Sequence, residues 1–133
     1  MTNKEDYELK RKNFIEKTIK FFHYLCDEYK YLLPVHSTHQ QPNGVIIADS
    51  LDYLNESIDR LVIIYNAYNP NDYGFEVQFY RPSISTNPPD RVIVYPVLKE
   101  DQDIDQTYLE KAAESVHNNF QTVLMGNEWN NST

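Results

Sequence analysis

Residues 58–68, Ile-Asp-Arg-Leu-Val-Ile-Ile-Tyr-Asn-Ala-Tyr, constrain the fold more than any other stretch of the chain. They are rich in Val, Ile and Tyr, whose branched and ring-bearing side chains suit a pleated backbone. From Leu61 to Tyr65 apolar residues follow one another with little alternation. That pattern is expected of a central strand buried on both faces, or buried at one end of a sheet. Such a strand needs neighbours, and a sheet with an apolar face needs a layer of helices to cover it.

The neighbours are legible on both sides. Val45, Ile46 and Ile47 begin a strand expected to reach about Tyr53, and Leu54-Asn55-Glu56-Ser57 reads as the turn out of it. Asn69-Pro70-Asn71-Asp72 reads as a turn. After it Tyr73, Phe75, Val77 and Phe79 alternate with Gly74, Glu76, Gln78 and Tyr80, the pattern of a half-buried strand. Arg81 to Asp90 is a loop holding three prolines, and Arg91 to Leu98 is a fourth strand. Pro96 donates no ladder hydrogen bond and so suits an edge or a strand end. Residues 34–43, between Leu33 and Gly44, read as a polar loop.

Helical periodicity flanks this block. Ile15, Thr18, Ile19, Phe22, Leu25, Cys26, Tyr29 and Leu33 recur at three- and four-residue steps, so residues 4–33 read as one long helix. Thr2 and Glu5 fit a capping box at its start, and Pro34 ends it. Lys99 to Gln106 is an acidic connector. A second helix over about 106–125 carries Tyr108, Ala112, Val116, Phe120 and Val123 inward, joined by Leu109, Ala113 and Leu124, with Gly126 as its cap. The layout is therefore α-β-β-β-β-α: a single α+β domain over 1–126, and a polar tail over 127–133 that contains Trp129. Short connections favour a four-stranded antiparallel meander with both helices on one face. The other face is then either solvated or an interface.

Charge narrows the function classes. The 133 residues carry a formal net charge of −8, and it is unevenly spread. Residues 1–30 hold seven Lys/Arg and six Asp/Glu, a net of +1, while residues 31–133 hold five and fourteen, a net of −9. An acidic body argues against ordinary nucleic-acid binding, which needs a basic footprint. It suits a basic protein partner through complementary potential. The chain has eleven Tyr, a residue at home both in sheets and at contact surfaces. Cys26 is the only cysteine and lies in an apolar run, which reads as a buried, inert thiol. Met1 to Lys12 is polar rather than signal-like, and no apolar stretch approaches a membrane span, so a cytoplasmic protein is expected.

No segment carries a catalytic signature that names a reaction. His36-Ser37-Thr38-His39 puts two histidines three apart, as solvated loop residues or at the mouth of a ligand pocket. A metal site asks for more ligands than these two. His36-Ser37-Thr38 resembles the His-x-Thr element of two-histidine phosphoesterases, but no second element follows His23 or His117. Asp101, Asp103 and Asp105 resemble the start of a calcium loop that breaks at Gln106 and Ala112; the plainer reading is an acidic helix entrance. Asp49, Asp52, Glu56, Asp59 and Glu76 offer carboxylates, but no spacing singles out an acid–base pair. The three glycines are too scattered for a phosphate loop. No metal and no cofactor is expected.

In layout, the chain resembles the class I chaperones of type III secretion systems and the related YbjN-like domains. The local echo is Val94-Tyr95-Pro96-Val97, the acidic connector and the helix from Tyr108 to Leu124. Those families usually have a further helix between strands, and no functional residue carries over. In composition, being small, acidic and poor in cysteine, it is similar to bacterial immunity proteins and phage-encoded inhibitors. The expectation is a non-enzymatic protein-binding module: an inhibitor, immunity-type antagonist or chaperone-like adaptor of a more basic partner. Asp49, Asp52, Asp59, Tyr65, Glu76, Tyr80 and Trp129 are its expected contacts. One alternative is a nucleotide-like small-molecule binder or hydrolase using His36 and His39; another is a DNA-mimicking inhibitor. A homodimer through the first helix or the sheet is also open.

Overall fold

The structure, a computed structural model, describes residues 3–68, 74–84, 90–127 and 129. Helices α1 (Asn3–Phe21) and α2 (Tyr24–Asp27) lead into strands β1 (Val35–Gln40), β2 (Ile46–Asn55), β3 (Arg60–Ala67), β4 (Phe75–Tyr80) and β5 (Arg91–Val97). Helices α3 (Tyr108–Asn119) and α4 (Gln121–Leu124) close the chain. The strands form one antiparallel sheet in the order β1-β2-β3-β4-β5. The α+β class and the antiparallel meander agree with the sequence; the strand number is corrected from four to five. The extra strand, β1, lies within the stretch read as a polar loop. It is an edge strand with almost every residue exposed, so no buried row marks it as a strand in the sequence.

β3 sits at the centre of the sheet, and its side chains sort by parity. Val62 and Ile64 are buried beneath the helices, while Leu61, Ile63 and Tyr65 are half-buried on the other face. Leu51 and Tyr53 of β2 join the covered side, as do Phe75, Val77 and Phe79 of β4. Against them pack Phe14, Phe22 and Leu25 from the first helices and Leu109, Ala112, Val116 and Leu124 from the last. Each large side chain buried in this way stabilises the fold by about 1.5–3 kcal/mol.

Both predicted helices are broken. Phe14, Thr18, Phe22 and Leu25 keep helical spacing and are fully buried, yet regular helix stops at Phe21 and resumes at Tyr24. Lys30 then takes a left-handed conformation (φ 66°), and the Leu32 N–H donates to the Leu54 carbonyl at 2.8 Å. The chain has turned toward the sheet by this point, which is why Leu33, placed on the inner stripe by periodicity, is exposed. The second helix breaks at Phe120 (φ −128°, ψ 26°). Gly126 follows at φ +82°, where a Cβ would lie 2.7 Å from that of Ile58, so the cap has no room for a side chain. The Asn69–Asp72 turn, Thr2 of the capping box and most of the 127–133 tail lie outside the described residues.

Among the described residues no helix is long and apolar enough to cross a membrane.

Candidate functional site

All helices pack on one side of the sheet, so its opposite face is open. Strand register fixes what stands there. One row across the strands is Ser37, Ser50, Tyr65 and Glu76; the next is Val35, Asp52, Ile63, Gln78 and Ile93; a third is Leu54, Leu61, Tyr80 and Arg91. Facing residues in such rows have Cβ atoms about 4.5–5.5 Å apart, near enough to act together. The twist of the sheet turns the rows into a groove of about 490 Å³. It is lined by Ser37, His39, Ser50, Asp52, Ile63, Tyr65, Glu76, Gln78, Tyr80 and Arg91, with the Gly74 backbone at one end.

The polar groups of the groove are ordered. Arg91 Nη1 donates to the Tyr80 hydroxyl at 3.3 Å, Tyr80 donates to Gln78 Oε1 at 2.9 Å, and Gln78 Nε2 donates to Glu76 Oε1 at 2.6 Å. This chain runs along β4 because residues two apart share a face. The hydrogen bond to Tyr80 raises the Arg91 pKa, so the guanidinium stays charged. The His39 ring meets the edge of Tyr65 at 5.6 Å between centroids. Asp52 is the strained member. Burial raises its pKa above the ordinary carboxylate value, against the Ser50 hydroxyl and the field of His39, which lower it. Its Oδ1 atom is buried without a hydrogen-bond partner in the protein.

Four of the seven expected contact residues therefore come together: Asp52, Tyr65, Glu76 and Tyr80. Asp49 does not join them. It stands three residues from Asp52 on the same strand, and an odd step in a strand reverses the face. On the helix side Asp49 is fully buried and accepts hydrogen bonds from Arg11, His36 and Tyr68 at 2.8–3.0 Å. Burial raises its pKa, but these donors outweigh that effect and hold the carboxyl below its ordinary value. His36 and His39 are parted by the same odd step: His36 goes to Asp49, and His39 goes to the groove.

Asp59 and Trp129 lie elsewhere again. Asp59, in a left-handed conformation (φ 56°), accepts from the Ser83 N–H at 2.8 Å and from its hydroxyl at 2.5 Å. The guanidinium groups of Arg60 and Arg81 lie over the Trp129 ring, at 5.1 and 4.8 Å from its centroid, and its indole N–H donates to Asp90 at 3.1 Å. Asp103 caps the approach to α3 by accepting from the N–H and hydroxyl of Thr107. Among the described residues no group of three or more His, Cys, Asp or Glu is disposed to hold a metal.

Reasoning from sequence did not name Ser37, Ser50, Ile63 or Arg91 as site residues. Gln78 already stood in the polar phase of the β4 alternation. Ser37 was hidden by the missing strand, and Arg91 by the absence of any register between β4 and β5. No protein-family model matches the chain, and no curated protein and no solved structure matches it.

Proposed function

We propose that the open sheet face is a docking groove for a cationic segment of a partner protein, and that the chain acts as an antagonist or adaptor of that partner. The observation that carries this reading is Asp52: a carboxylate in the wall of the groove, with one oxygen buried and unpartnered. A buried acceptor without a donor costs about 1–3 kcal/mol, more when charged. A Lys ammonium or Arg guanidinium from a partner, seated in the groove beside the half-buried carboxylate, favours the charged form of Asp52 and offsets that cost. Glu76 lies one row away, and Tyr65 and Tyr80 offer ring faces to the stem of the incoming side chain. The net −9 of residues 31–133 steers such a partner toward the face.

The test is a pull-down with the wild-type chain and Asp52→Asn as parallel baits, washed with rising salt. A basic protein retained by the wild type at low salt, released at high salt and not captured by Asp52→Asn supports the reading. Equal capture by both baits contradicts it.

The volume of the groove favours a second reading. About 490 Å³ falls in the range of small-molecule pockets, and Arg91 and His39 bring donors for an anionic group. A nucleotide-like ligand then raises the melting temperature of the wild type but not of His39→Ala. His36, on the other face, has no part in this version.

A further inference from the structure

The two edges of the sheet differ in how they are protected. Exposed edge strands invite pairing with another chain and are usually blunted by charge, proline or a bulge. At the β5 edge stand Arg91, Pro96 and a bulge where Tyr95 turns left-handed (φ 50°) and the register with β4 shifts. At the β1 edge, Pro34 precedes the strand and the register shift comes only at its last step, between His39 and Gln40. From Val35 to His39 the outer edge carries neither Asp, Glu, Lys or Arg nor proline, and every residue but the half-buried Ser37 is exposed. Leu33 and Val35 at its start are 72% and 64% exposed.

Charge singles out the same edge. Residues 31–48, which hold β1 and the turn into β2, contain no Asp, Glu, Lys or Arg. Two copies of a chain with net charge −8 repel across most approaches. Here they meet without like charges facing each other.

We propose that β1 pairs antiparallel with β1 of a second copy, joining two sheets into one of ten strands. A two-fold axis perpendicular to the sheet, through the middle of the regular stretch Val35 to His39, sets the register: Ser37 faces Ser37 of the second copy, His36 faces Thr38, and Val35 faces His39. This is an isologous contact and closes at two chains. It keeps the helices of both copies on one side and sets the two open faces edge to edge, with Ser37 at their junction. The proposal is independent of what the open face binds.

Mass and cross-linking test it together. Light scattering on a sizing column is expected to give twice the 15.7 kDa of one chain. Facing residues in an antiparallel pair have Cα atoms about 4.5–5.5 Å apart, within the span of about 4.4–6.8 Å that a disulfide bridges. Ser37→Cys, in a Cys26→Ala background, is therefore expected to form a covalent dimer on mild oxidation. Ile93→Cys at the other edge in the same background is expected to form no covalent dimer. Val35→Lys, a change at an exposed side chain, is expected to give a folded monomer by circular dichroism and mass. A wild-type monomer at 100 µM with no Ser37→Cys cross-link overturns the proposal. So does a dimer that survives both Val35→Lys and Thr38→Lys.

Discussion

Arg11 and Asp49 form a two-pronged ion pair between α1 and β2: Nε meets Oδ2 at 2.8 Å and Nη2 meets Oδ1 at 3.0 Å. The carboxylate is fully buried and also receives His36 and Tyr68, so four side chains, from α1, β1, β2 and the residue just after β3, meet at one point. Removing the carboxylate leaves the guanidinium without its partner in a partly buried place. Asp49→Ala is expected to cost about 3 kcal/mol in urea unfolding. A cost below about 1 kcal/mol would show that the cluster does not hold α1 to the sheet.

Acid removes what this cluster contributes. The Asp49 pKa is lowered by folding, so its contribution is present above the unfolded value of about 3.9 and is lost as pH falls through the folded value. Asp59, Asp90 and Asp103 are lowered as well and add to the same slope. The difference between wild type and Asp49→Asn isolates Asp49. The unfolding midpoints of the two are expected to converge as pH drops below about 4; a constant gap would contradict the assignment.

Asp52 has the opposite sign. Burial raises its pKa, so its charged form opposes folding at neutral pH, and the penalty is relieved as pH falls through the raised value. Asp52→Asn keeps the shape and removes the charge. At pH 7 it is expected to raise the melting temperature while weakening partner binding, the trade found where a site stores strain for function. A lower melting temperature at pH 7 would make Asp52 a structural residue.

Trp129 is the only tryptophan and reports on its own environment. Packed against Arg60 and Arg81 and tied to Asp90, it is expected to resist acrylamide quenching relative to free tryptophan, and Arg81→Ala is expected to increase its quenching. Its two cation–π contacts stabilise this docking by about 0.5–1 kcal/mol each. Free access of the quencher to the wild-type ring would return Trp129 to the role of an exposed partner anchor.

Much of the fold is written locally in the chain. The half-buried strand β4 shows in Phe75, Val77 and Phe79, and the inner face of α3 in Leu109, Ala112 and Val116, because burial on one side imposes a period. β1 lacks that imprint: an edge strand has little to bury, and His36 to Gln40 look like a loop. The loss carries into the site. Once β1 is a strand, the three-residue step from His36 to His39 puts them on opposite faces, and the same step in β2 separates Asp49 from Asp52. The Arg11–Asp49 pair spans 38 positions and leaves no local pattern, so only the tertiary fold brings it into view.

The most direct measurement is a titration of the 15N-labelled chain with a lysine- and arginine-rich decapeptide, followed by amide shifts at low and high salt. Shifts concentrated at Ser50, Asp52, Tyr65, Glu76 and Gln78, lost in high salt and lost in Asp52→Asn, are the expected result. Shifts spread evenly over the acidic surface, unchanged by Asp52→Asn, would contradict a docking groove on the open face.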